Sequence, residues 1–214
     1  MTSERKEAPL LMEVRDLACR RGGRLLFRGL EFTLAAGEAL LLTGRNGVGK
    51  TSLLRLLAGL AAPAEGALSL FGVGAGDDPE AYRRPLAYLG HHNALKPAET
   101  VAANVAFWVG LRGGDKAATP AALDAMGIAD LSATPVRLLS AGQRRRTALA
   151  RVIAAGAKLW LLDEPATGLD SAARRRLDLA IARHRAGGGV VIAAAHGDLA
   201  LPEAHACCLD DLAA

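Results

Sequence analysis

Aromatic residues are scarce: four Phe, two Trp and two Tyr, 4% of the 214 residues. The core must therefore be built from Leu, Val, Ile and Ala. Single-stranded nucleic acid is held on aromatic rings beside basic residues, and no such platform appears. Cysteine is also sparse. Cys19, Cys207 and Cys208 form no C-x-x-C pair and their count is odd. Reduced, mostly buried thiols of a cytosolic protein are expected. Long apolar runs are missing too. The longest, such as "VVIAAA" (190–195), fall far short of the roughly 20 residues that span a bilayer. The opening "MTSERKEAPLLMEV" lacks the apolar segment of a signal peptide. If the protein works at a membrane, something else must anchor it. Strong charge of one sign is absent: the net charge is +4 and the pI about 9.2. This mild excess fits a protein that handles anions such as nucleotides, or one near an anionic leaflet. It is too weak to argue for nucleic acid.

Hydrophobic residues make up 51% and charged residues 22%. This is an ordinary globular balance, enough for one well-buried domain over residues 1–214. "EALLLTG" (38–44), "LAYLG" (86–90), "KLWLLDE" (158–164) and "GVVIAAA" (189–195) are short and almost continuously apolar. They read as parallel strands buried on both faces. Leu53, Leu54, Leu57 and Leu60 mark one face of a helix that starts near Gly49 and ends before Pro63. "LLMEVRDLACR" and "RLLFRGLEFTL" predict an antiparallel pair around an "RGG" turn. The stretch from about 100 to 155 looks mostly helical. The expected fold class is α/β: a P-loop core, an N-terminal antiparallel β part, and a helical subdomain at about 92–155.

"GRNGVGKT", Gly44 to Thr51, fits G-x-x-x-x-G-K-[ST] at every fixed position, between a predicted strand and a predicted helix. The loop Gly44, Arg45, Asn46, Gly47, Val48, Gly49, Lys50, Thr51 and Ser52 is thus a candidate ATP-binding element. Its glycines let backbone N–H groups turn inward on phosphate, and the helix N-terminus adds a positive end. Lys50 would reach the β- and γ-phosphates, and the Thr51 hydroxyl would ligate Mg2+. Asp163 and Glu164 close a buried strand. Asp163 would support the Mg2+; Glu164 would orient and polarise the attacking water. Adjacent strand residues point to opposite sides, which suits separate roles. His196, after the strand 190–195, is a candidate for the γ-phosphate and the water.

"LSAGQRRRTALAR", from Leu139, resembles the LSGGQ signature of ATP-binding cassette (ABC) ATPases, with Ala141 in place of the second Gly. The phosphate loop, the signature, the acidic strand end and His196 follow that family's order, and "TGLD" (167–170) resembles its D-loop. The resemblance spans most of the chain and implies a RecA-like core. It implies ATP hydrolysis in a head-to-tail pair of copies. Ser140, Gly142 and Gln143 of one copy would cap the ATP held by the other. Asp170 would sit at that interface. An aromatic that stacks on adenine is usual near the first hairpin; Arg21 stands there, and Phe27 suits the core. The triplets Arg144–Arg146 and Arg174–Arg176 read by default as solvated helix faces.

"YLGHHNALKP" (88–97) pairs His91 with His92. A metal site is disfavoured, because adjacent side chains diverge and no further ligand lies at metal spacing. In the ABC pattern a Gln is usual at His91, where it links Mg2+ and water to the helical lobe. His91 would be a polar lever there, and His92 an exposed neighbour. Together, "YLGHHNALKP", "LSAGQRRR" and "LWLLDEPATGLD" in a short chain resemble the haem-exporter ATPases of cytochrome c maturation. That resemblance implies integral-membrane permease subunits as partners and a peripheral place on the cytoplasmic face of the bacterial inner membrane. Haem would be handled by the complex and not bound by this chain. The alternatives are the ATPase of a drug or lipid exporter, or a soluble ABC protein.

Overall fold

The computed structural model describes residues 10–111, 113–195 and 199–213. Two strands open the described residues, β1 (Leu10–Arg21) and β2 (Arg24–Ala35), turning at Gly22-Gly23 as the sequence predicts. Then come β3 (Ala39–Thr43), α1 (Lys50–Leu57), β4 (Glu65–Leu70), β5 (Val73–Gly74), α2 (Pro79–Arg83) and β6 (Leu86–Leu89). Next are α3 (Val101–Leu111), α4 (Ala118–Ala125) and α5 (Ala141–Ala154). The remainder is β7 (Leu159–Asp163), α6 (Ser171–Ala186), β8 (Val190–Ala194) and β9 (His205–Cys208).

The strands form two sheets. One is antiparallel, in the order β2-β1-β4-β5. The other is parallel, in the order β6-β7-β8-β3-β9. Every residue of β7 and β8 is buried. The apolar runs are continuous because each sheet face has its own core. Leu159, Leu161, Val190 and Ile192 pack with α1 and the antiparallel sheet. Trp160, Leu162, Val191 and Ala193 pack with α3, α5 and α6. The parallel sheet is therefore the middle layer, and α3 to α5 join its second core.

Several elements escaped the sequence reading. β4 and β9 are short and poor in β-branched residues. α2 was missed too, although its start carries a signal: Asp78 caps it by accepting from the N–H groups of Glu80 and Ala81, with Pro79 at the first position. Leu60 departs from expectation. It lies beyond the end of α1 and is exposed, and Leu56 is buried instead. Gly59, at φ 64, has already turned the chain out of the helix. Of the thiols only Cys19 is fully buried; Cys207 and Cys208 are half-buried.

Tyr82, fully buried in α2, donates its hydroxyl to the Leu57 carbonyl at 2.8 Å. This contact ties off the C-terminal end of the phosphate-loop helix. Tyr82→Phe keeps the ring but strips that carbonyl of its donor, at a cost of about 1–3 kcal/mol. The expected result in differential scanning calorimetry is a midpoint lower by about 2–4 °C per kcal/mol. An unchanged midpoint would show that the bond contributes nothing.

Candidate nucleotide site

β3 ends at Thr43 and α1 starts at Lys50, so residues 44–49 bridge a buried strand and a helix N-terminus. Gly44 and Gly49 have φ of 128° and 122°, which side chains resist. A Cβ on Gly44 would meet Val48 Cγ1 at 3.0 Å, and one on Gly49 would press on the Phe27 ring. Arg45, Asn46 and Gly47 form the exposed tip, while Val48 and Ser52 are buried. Lys50 is 7% exposed and folds back over the loop. Its Nζ donates to Gly44 O at 2.5 Å and to Arg45 O at 3.2 Å. An incoming phosphate would compete for this amine.

Thr51 joins the loop to β7. Its hydroxyl donates to Asp163 Oδ2 at 2.9 Å, across 112 residues of sequence. Asp163 is 3% exposed. Burial pushes its carboxyl above the usual range; the Thr51 hydroxyl opposes that, and Glu164 adds to it. His91 also reaches this carboxylate electrostatically. His91 is exposed, its ring edge-on to His92 at 5.4 Å. Both line a groove of about 960 Å3 that also takes in Thr51, Arg55 and Trp108.

Glu164 corrects the sequence reading. It is not the next residue of a strand, because β7 ends at Asp163. The separation of the two acids comes from a backbone turn: Glu164 has φ 47°, a left-handed conformation uncommon for a residue with a side chain. Its N–H donates to Ala194 O at 2.8 Å, and its Oε2 accepts from the Thr167 hydroxyl at 3.3 Å. Lys50, Thr51, Asp163, Glu164 and His91 thus gather at the C-terminal edge of the parallel strands, where open α/β sheets bind ligands. His196 lies outside the described residues.

Ser140, Gly142, Gln143 and Asp170 stand elsewhere. Ser140 caps α5: its hydroxyl accepts from Gln143 N–H at 3.2 Å, and Gln143 Oε1 accepts from Ser140 N–H at 2.8 Å. This is a complete capping box, which the S-x-x-Q spacing could have shown. Gly142 sits against Gly168 O, where a Cβ would approach to 3.0 Å. Asp170 caps α6 by accepting from Ala173 N–H at 2.7 Å. That bond holds its carboxyl below the usual range. Arg21 is exposed at the hairpin end, and Phe27 is fully buried.

The family model for ABC transporters matches residues 27–167. The chain belongs to the ABC transporter family. It is an ATP-binding protein of that family, and curated relatives are close. A "Cytochrome c biogenesis ATP-binding export protein CcmA" of Paramagnetospirillum magneticum is 50% identical over 203 residues, covering 93% of this chain and 94% of the relative. One of the same name in Rhodospirillum rubrum is 51% identical over 207 residues, covering 97% and 89%. Among solved structures, an "ATP binding subunit of ABC transporter" superposes with a TM-score of 0.82 at 26% identity, covering 87% of this chain and 80% of that one.

Two residues of this ABC protein's site were missed in the sequence. Asp210 grips the phosphate loop, accepting from Arg45 N–H at 2.9 Å and pairing with Arg45 Nε at 3.2 Å. The contact spans 165 residues, so no local pattern announces it. Arg145 contradicts the expectation of a solvated face. It is 6% exposed, and burial pushes its guanidinium below the usual range while Asp163 and Glu164 hold it up. A signal existed: Arg145, Ala148, Leu149 and Val152 share the 3–4–7 spacing of a buried helix face, and all four are buried.

Proposed function

We propose that this chain is the ATP-hydrolysing subunit of the exporter complex of c-type cytochrome biogenesis, the haem-exporter type. The observation that carries this reading is the Thr51–Asp163 contact, which joins the phosphate loop to the acidic strand end in a chain about half identical to export proteins of that process. Residues 44–52 cradle the ATP phosphates, with Lys50 on the β- and γ-phosphates. The Thr51 hydroxyl and Asp163 carboxylate fit Mg2+, being hard oxygen donors 2.9 Å apart. Among the described residues no cluster of three or more His, Cys, Asp or Glu could hold a metal without help, so phosphate and water oxygens complete the set. When bound, the ion neutralises charge on the phosphates. Glu164 orients and polarises the attacking water, and His196 holds the γ-phosphate side.

Two copies pair head-to-tail. Supporting this, the α5 N-terminus at Ser140, Gly142 and Gln143 lies against the turn at Gly168, and its positive helix end suits a phosphate of a partner's ATP. Asp170 lies at that junction. Integral-membrane subunits are the other partners. No described helix is long and apolar enough to cross a membrane, which suits peripheral attachment at the cytoplasmic face of the inner membrane. His91, between the groove and Asp163, links those subunits to the site. Haem is cargo of the complex and no ligand of this chain.

The test is deletion of the gene followed by haem staining of membrane proteins. The expected result is loss of c-type cytochromes, restored by the wild-type gene. Unchanged cytochromes would sink the assignment and point to a drug or lipid exporter, with the ATPase reading intact.

A further inference from the structure

Arg145 has no part in the scheme above, yet its side chain makes five hydrogen bonds at the site. Its Nη2 donates to Asp163 O at 2.6 Å and to Glu164 O at 2.8 Å. Its Nη1 donates to Gly90 O and to Asn93 Oδ1, both at 3.1 Å. Its Nε donates to Pro165 O at 3.4 Å. The five acceptors come from two segments. One is the loop that holds His91; the other is the turn that holds Glu164. Four are main-chain carbonyls, so the fork fixes backbone and not merely side chains.

The chemistry is specific to arginine. A planar guanidinium presents five N–H donors in a fixed array; an ammonium has three and cannot span both segments. Burying the cation is costly, and an apolar residue would fill a simple core position at lower cost. Glu164 shows what the arrangement achieves. Its φ of 47° needs outside support. Its N–H is held by Ala194 O and its carbonyl by Arg145, so both sides of the strained residue are fixed. The third point is the position of Arg145 on α5. Ser140 to Gln143 open that helix, and Arg145 follows within the same turn and a half. Gly142 leaves little room for a side chain before Gly168 O, so the same helix lies close against the far end of the Glu164 turn.

We propose that Arg145 is a positioning residue for hydrolysis. Through it the signature helix of each copy sets the backbone of its own Glu164 and of its own His91 loop. Arg145 touches no substrate. Its work is to keep Glu164 aimed while α5 faces the partner's nucleotide. The inference rests on the ATPase reading and on the head-to-tail pair.

The experiment uses the assembled transporter in lipid nanodiscs, with Arg145→Gln and Arg145→Lys. A misplaced catalytic group costs about ten- to a hundredfold in rate. The expected result is a fall of that size in kcat, with KM and the affinity for a fluorescent ATP analogue within about twofold, and no rescue by Lys. A structural role alone would instead lower affinity and thermal midpoint together with kcat, and that outcome overturns the proposal. So does a kcat within about twofold of wild type. Mixed pairs sharpen the test. When Glu164→Gln and Arg145→Gln share one copy, turnover should equal that of Glu164→Gln alone in one copy. Placed on opposite copies, they should remove nearly all of it. Equal rates in the two arrangements would refute action on the copy's own Glu164. If Arg145→Gln does not fold, Asn93→Ala removes one acceptor from the half-buried loop; the expected fall in kcat is about two- to fivefold, and none would overturn the proposal. Lys50→Ala serves as the control: if it turned over ATP normally, the ATPase reading would fail rather than this one.

Discussion

Lys50→Ala is expected to abolish measurable ATP turnover in the assembled complex, a loss on the order of a hundred- to a thousandfold. The buried amine already lies inside the loop, held by the carbonyls of Gly44 and Arg45. Phosphate oxygens would replace those carbonyls, so the charge needs little reorganisation to meet its ligand. Ala leaves the cradle of N–H groups but takes away its cation. Binding should fail with chemistry. For the wild-type subunit, ATP at 100 times Kd adds about 2.7 kcal/mol of stability, a rise of about 5–10 °C in thermal midpoint for a chain of this size. The variant should show almost none of that rise. A full thermal shift, or normal turnover, would remove Lys50 from the phosphate site.

Arg45 and Asp210 help to hold the shape of this loop. The tip is exposed, so packing alone cannot fix it. Asp210 binds the Arg45 N–H and its guanidinium at once. The pair is solvent-exposed, which keeps its own contribution to stability small. Its use lies in geometry: it pins the tip from the C-terminal end of the chain.

What the sequence made legible follows the physics of each signal. The phosphate loop stood out because its glycines answer a backbone requirement that few other sequences meet. The strands stood out because burial on both faces leaves no polar alternation. Thr51 and Asp163 were named apart and meet in space, since the loop and the acidic strand end share one sheet edge. Arg145 was passed over because a run of three arginines resembles a solvated face; its burial depends on carbonyls that converge only in the fold. Asp210 has no local marker at all. For Glu164 the expected geometry was wrong. Strand alternation would have placed it opposite Asp163, whereas a positive φ turns it, and no periodicity encodes one.

That turn makes Glu164→Gln the most informative substitution after Lys50→Ala. Gln matches Glu in shape and can still accept from the Thr167 hydroxyl. The backbone bonds to Ala194 and Arg145 involve no side-chain atom of residue 164 and should persist. Only the carboxylate charge is lost, and with it, on the proposed scheme, the means to polarise water. General-base catalysis contributes about a hundred- to ten-thousandfold, so turnover should fall by that range. ATP binding should survive, in contrast to Lys50→Ala. On the proposed head-to-tail scheme, a subunit that binds ATP and cannot hydrolyse it should accumulate as the closed pair. Size-exclusion chromatography with Mg2+ and ATP should then show a dimer for Glu164→Gln and a monomer for Lys50→Ala. Hydrolysis at the wild-type rate by Glu164→Gln would mean that another group activates the water.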